Sequence, residues 1–114
     1  MKKIIFLPDK LVVVQPKSQH KILYINILYI QSHAGLVHIH TKPRRKFVVE
    51  GAFSNVCNTL RQHGFALAHR CHLVNLLHVD NIDLVTGTVH LNKEVTIPLA
   101  RRRIENFTQE WYQL

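Results

Sequence analysis

Phe65-Ala-Leu-Ala-His-Arg-Cys-His-Leu-Val-Asn75 is the stretch that decides how the rest of this 114-residue chain is read. Two apolar pieces, residues 65–68 and 73–77, flank a polar cluster at residues 69–72 that carries imidazole, guanidinium and thiol groups. Apolar flanks of this kind tie a segment into a core, so the cluster between them is held out for a partner. Phe65, Leu67, Leu73 and Val74 are the expected anchors. His69, Arg70 and Cys71 form the exposed edge, and Asn75 is expected to be a structural hydrogen-bonder rather than a contact.

Charge suggests what that partner is. The net charge is +8, from fifteen Lys and Arg against seven Asp and Glu. Between residues 10 and 79 the only acid is Glu50, while Lys10, Lys17, Lys21, Lys42, Arg44, Arg45, Lys46, Arg61 and Arg70 lie in the same stretch. An asymmetry of this kind attracts polyanions by releasing their condensed counterions.

Toward the N-terminus the period is two. Leu36-Val-His-Ile-His-Thr41 puts Val37, Ile39 and Thr41 on one side of a strand and His38 and His40 on the other. Lys42-Pro-Arg-Arg-Lys46 is a charged turn into a partner strand at residues 47–50, and Ser32-His-Ala-Gly35 is the turn before it. Residues 20–31 are dense in β-branched and aromatic side chains, which predicts one bent strand or two consecutive ones, after Pro16 and the polar residues 17–19. Residues 4–7 and 11–14, split by Pro8-Asp-Lys10, predict a β-hairpin. It forms an extension over residues 1–19 to a main unit at 20–114, the whole being one domain. Met1-Lys-Lys-Ile-Ile-Phe-Leu7 opens like a signal peptide, but Pro8 stops the apolar piece and a first strand is expected.

Near and beyond the opening stretch the period shifts to 3.6 twice. Phe53, Val56, Cys57 and Leu60 form the stripe of the main amphipathic helix, with Gly51 or Ser54 as its cap and Gly64 as its left-handed stop. Residues 76–85, 88–92 and 94–99 predict a β-meander whose buried face is Ile82, Leu84, Val89, Leu91, Val95, Ile97 and Leu99. Ile104, Phe107 and Trp111 then mark a short C-terminal helix that starts with Arg101, Arg102 and Arg103. Three cations at a helix start oppose its dipole, so an anion is expected there. The fold class is mainly β with α: small antiparallel sheets, one main helix and one short one.

Other chemistries fit less well. His38 and His40, with His69, Cys71 and His72, could ligate a metal, but no C-x-x-C or H-x₃-H pair accompanies them. Cys71 beside His69 and His72 lacks an orienting third group for nucleophilic catalysis. The four glycines stand singly at 35, 51, 64 and 87, without a phosphate loop. Phe6, Phe47, Phe53, Phe65, Phe107 and Trp111 sit at core spacing, which leaves no stacking platform for single-stranded RNA. Neither an enzyme nor a cofactor is expected. Residues 22–30, the richest apolar run, fall far short of the ~20 needed to span a membrane, and two cysteines make no disulfide framework, so a reducing cytoplasm is expected.

The segments Ile27-Leu-Tyr-Ile-Gln31, Leu36-Val-His-Ile-His-Thr41, the helix, Phe65 with His69-Arg-Cys-His-Leu-Val-Asn75, and Val95-Thr-Ile-Pro-Leu-Ala-Arg101 together resemble the LytTR-type DNA-binding domain of bacterial transcription regulators. The resemblance spans about residues 20–107 and is most specific at His-Arg-x-x-Leu-Val-Asn. It implies an elongated fold that reads duplex DNA with loops, often as two domains on direct repeats. His33, Arg70 and Arg101 would reach base edges, while His69, Cys71, Arg102 and Arg103 would contact phosphate; the basic turn adds Lys42, Arg44 and Arg45 as phosphate contacts. Cys71 stands where the family often has Ser or Asn, and Ala100 where it often has Ser. The family's domain usually follows a receiver, so a stand-alone regulator and an excised output domain are both compatible with the sequence. Self-association on DNA and control by an inhibitory protein partner are further expectations. The alternative is a basic β-rich module that binds a protein or an anionic surface.

Overall fold

A computed structural model describes residues 3–114; Met1 and Lys2 of the opening segment lie outside the described residues. Among the described residues, eleven strands and two helices make three antiparallel sheets in a body of 45 × 26 × 24 Å. The first sheet consists of β1 (Lys3–Phe6), β2 (Lys10–Gln15) and β3 (Ser18–Leu23), with β2 in the middle. The expected hairpin is present, but Ser18 and Gln19 belong to β3 rather than to a polar break. The predicted strand region at 20–31 divides at a 3₁₀ turn, Tyr24–Asn26, before β4 (Ile27–His33) begins. Because β2 pairs with β3 along its full length, the hairpin shares a sheet and a core with residues beyond position 19.

The central sheet has five strands in the order β6-β5-β4-β8-β7, where β5 is Leu36–Thr41, β6 Arg45–Glu50, β7 Phe65–His69 and β8 His72–Asn75. Val37, Ile39 and Thr41 are buried and His38 and His40 half-buried on the other face, as the alternation predicted. One face packs with α1 (Phe53–Leu60) and the first sheet around Ile30, Ile39, Val56, Leu60, Phe65 and Leu73. A bulge between Ile27 and Tyr29 turns Leu28 to the opposite face, into a second core. There Ala66, Ala68 and Val74 meet the third sheet and α2 (Ile104–Tyr112). The third sheet is β9 (Val79–Asp83), β10 (Thr88–Leu91) and β11 (Val95–Pro98), with β10 central.

Several expectations need correction. Ala52 starts α1 with no side-chain cap, in place of Gly51 or Ser54, whereas Gly64 takes the left-handed φ of 82° that ends it through a 3₁₀ turn at Arg61–His63. The predicted strand at 76–85 is shorter, with a 3₁₀ turn at Leu76–His78 before β9 and a turn at 84–87 after it. Leu84, expected in the meander's buried face, is 67% exposed. Among the expected core aromatics Phe65 and Phe107 are buried, while Phe6, Phe47, Phe53 and Trp111 are half-buried.

Asn75 is buried and fully engaged: its Nδ2 donates to the carbonyls of Tyr24 at 3.1 Å and Ile27 at 2.9 Å, and its Oδ1 accepts from the Leu77 amide at 3.1 Å. Truncation would strand two carbonyls and an amide in the interior. Asn75→Ala is expected to lower stability by about 2–4 kcal/mol, read as a fall in the urea midpoint with little change in slope.

Candidate nucleic-acid interface

Three turns from distant parts of the chain meet at one end of the central sheet. The turn between β4 and β5 holds Ala34 and Gly35 at φ 54° and 73°, the paired left-handed conformation that lets two residues reverse a hairpin. It lifts His33, which is exposed, and His38 Nε2 donates to the His33 carbonyl at 3.3 Å. The turn between β7 and β8 carries Arg70 and Cys71 at its tip. Its register opposite β4 sets His72 across from Gln31, and the Ser32 amide donates to the Cys71 carbonyl at 2.9 Å. The third turn joins through Ala100, whose amide donates to the Ala68 carbonyl at 2.8 Å and so fixes Arg101 beside the end of β7. His33, Arg70, Arg101 and Arg102 are exposed, and His69 and Cys71 half-buried. The Cys71 amide donates to His69 Nδ1 at 3.4 Å, which leaves Nε2 as the proton-bearing nitrogen of the neutral ring.

An end built this way offers hydrogen-bond donors and cations from three hairpin-like tips. Residues 17–111 match the model of the LytTr DNA-binding domain. The chain belongs to the LytTR DNA-binding domain family. Its fold is similar to a solved LytTr DNA-binding domain from Bacillus cereus, part of a protein described as a putative methyl-accepting/DNA response regulator, with a TM-score of 0.77 at 11% identity over 91% of this chain and 97% of that one. No curated protein matches the sequence.

Within this LytTR domain the expected contact residues do not all come together. Arg101–Arg103 is a 3₁₀ turn that precedes α2 rather than the first turn of the helix itself. Arg101 and Arg102 remain exposed, but Arg103 is half-buried and lines a cavity of about 240 Å³ with Arg61, Asn106 and Glu110. Arg103 therefore separates from the other two. Lys42, Arg44 and Arg45 sit at the opposite end of the central sheet, because the six residues of β5 carry the chain roughly 20 Å away from the His33 turn. There the Lys42 amide donates to the Asn26 carbonyl at 2.8 Å, and Arg44 Nε lies 3.3 Å from Glu94 Oε2. The basic hairpin tip and the three-turn end are separate surfaces.

The face of the central sheet that carries the second core also carries a row of rings, of which His38, His40, His69 and His72 stand out in the sequence as candidate metal ligands and His33 and His69 as candidate DNA contacts. Tyr29 stacks on His40 at 4.1 Å and lies 6.3 Å from His72, which in turn meets His69 edge-on at 5.6 Å; His33 and His38 stand 5.7 Å apart. No group of three or more ligand side chains is gathered for a metal among the described residues. His40 Nε2 and His72 Nδ1 are shielded without hydrogen-bond partners. The alternation of Leu36–Thr41 already placed His38 and His40 together, but the cross-strand neighbours of His40 came only from register.

Burial, reinforced by Lys46, His38 and His72, pushes the His40 imidazole down to about 4, and burial with the nearby His69 also lowers His72. Both rings are neutral in the fold at neutral pH. An unfolded chain takes up the His40 proton near pH 6.5, so between about 6.5 and 4 the unfolded state holds more protons and stability falls as the pH drops. Urea unfolding of the LytTR domain at pH 7.5 and pH 4.5 should differ by about 1–2 kcal/mol from His40 alone, a discounted value because the ring is only half-buried. His40→Phe, which keeps a ring against Tyr29, should remove most of that difference.

Proposed function

We propose that this LytTR domain binds duplex DNA sequence-specifically and serves as the output module of a transcription regulator in the bacterial cytoplasm. The observation that carries this reading is the convergence of His33, Arg70 and Arg101 on one end through the Ser32–Cys71 and Ala100–Ala68 backbone hydrogen bonds. In this reading Arg70 and Arg101 reach base edges, where a guanidinium can pair with guanine in two places at once. His33 enters a groove beside them, and His69, Cys71 and Arg102 hold the phosphates that set the register. Family membership supports the DNA part of the reading, and the net charge of +8 supports its electrostatic part. A body 45 Å long is also compatible with two copies on successive direct repeats, self-association on DNA, or a controlling protein partner.

The proposed interface leaves out Arg103, Lys42, Arg44 and Arg45, which lie apart from the three turns. Arg103 lines the cavity between the Arg61–His63 turn and α2, and the basic turn lies at the far end.

The test is anisotropy with duplexes recovered from random DNA, measured over a salt series, with anionic vesicles as a parallel probe. Affinity should fall steeply with salt, by roughly 0.9 log unit per log unit of salt for each phosphate contacted. Arg70→Ala and Arg101→Ala should each cost about 1–3 kcal/mol at particular base positions. Arg44→Ala should leave affinity nearly unchanged. A flat salt response, or vesicle binding without duplex binding, would replace this reading with that of a basic surface-binding module.

A further inference from the structure

The same end of the molecule carries a fourth turn, between β9 and β10, that neither charge nor motif singled out. Its tip is Leu84-Val85, and these are among the most exposed large apolar side chains described, 67% and 96% accessible. The turn is firmly held. Asp83 Oδ1 accepts from the Val85 amide at 2.9 Å and the Thr86 amide at 3.1 Å, and the Gly87 amide donates to the Asp83 carbonyl at 2.9 Å. Thr86 and Thr88 hydroxyls meet at 2.7 Å, and the chain of contacts continues through His90 to Thr96 on the outer face of the third sheet. A rigid tip that keeps two branched apolar side chains in water gains nothing from them within the fold.

Its position gives them a use. The Leu99 amide donates to the Gly87 carbonyl at 2.8 Å, so the turn is hydrogen-bonded to a residue two positions before Arg101. Val85 is two residues from Gly87, and an extended chain spans at most ~3.5 Å per residue. The path from Val85 through the Gly87–Leu99 pair to Arg101 is therefore under about 20 Å, less than one turn of duplex, which is about 34 Å. Thus the tip lies closer to Arg101 than one turn of duplex is long.

Leu84 and Val85 have no donors for phosphate, and the Asp83 carboxylate behind them repels it. Apolar side chains instead suit the thymine methyl group in the major groove, or the sugar edge. Resting on the duplex-binding reading above, we propose that Leu84 and Val85 form a fourth DNA-contact element that selects thymine beside the bases read by Arg101. It adds specificity without adding charge.

The experiment uses the whole chain, the duplexes recovered from random DNA, and the Leu84→Ser/Val85→Ser variant, whose sites are exposed and lie outside both cores. The variant should unfold at the wild-type urea concentration and bind about tenfold more weakly, with an unchanged salt slope. In the wild-type protein, replacing one particular thymine by deoxyuridine, which removes only the methyl group, should weaken binding comparably, whereas the variant should be indifferent to that replacement. If the wild-type chain binds duplex but the variant matches it in affinity and sequence preference, the fourth element is wrong and the three-turn interface stands. A variant that weakens binding through a changed salt slope, with no thymine-methyl effect, also overturns the proposal. If the wild-type chain fails to bind duplex at all, both readings fall together.

Discussion

The carboxamide of Asn75 is the constraint on which this architecture rests. It lies where β8 ends, and it bonds to the carbonyls of the first residue of, and the first residue after, the 3₁₀ turn that separates the first sheet from the central one. Its oxygen simultaneously caps the next 3₁₀ turn, which leads into the third sheet. His78 reinforces the joint by donating from Nε2 to the Ile25 carbonyl at 2.6 Å. One amide thus serves a junction at which all three sheets change direction, where strand ladders cannot supply the partners that buried backbone groups require. By fixing where β4 starts relative to β8, the joint supports the register that sets Gln31 opposite His72. The tips at the far end inherit their alignment from it.

Much of the fold was legible because local periodicity and tertiary environment agree. Leu36–Thr41 alternates and is half-buried as written; the Phe53, Val56, Cys57 and Leu60 stripe packs as a helix face; Gly64 ends the 3₁₀ turn after it. Asn75 was legible as a structural residue from its place after an apolar anchor. A bend or break within residues 20–31 was expected but its place at 24–26 was hidden, as was the turn at 76–78, since each is stabilised by bonds to residues about fifty positions away. Apolar residues on both sides make the break look like a continuous strand.

The site was legible in its chemistry and less so in its geometry. Arginines 101 to 103 form a uniform run in sequence, yet in a 3₁₀ turn successive side chains are about 120° apart, so the three point in different directions and Arg103 alone lines the cavity beside α2. Lys42, Arg44 and Arg45 share the charge, but strand direction puts them at the opposite end of the central sheet from the three turns. Leu84 was placed on the meander's buried face by strand alternation with Ile82, although Asp83 caps its own turn early and turns Leu84 and Val85 out to solvent. In each case position came from backbone path, which composition does not encode.

The paired left-handed turn at Ala34 and Gly35 shows how the interface is separated from the core. His33 is lifted on a two-residue reversal whose shape is set by backbone conformation, and the exposed side chains of this turn and of the Arg70 and Arg101 turns take no part in either apolar cluster. Heritable variation can therefore alter such tips one at a time at little risk to foldedness, whereas a recognition helix must keep its inner face while its outer face changes. A lineage built on this scaffold can change what its tips touch while its folding requirements stay the same.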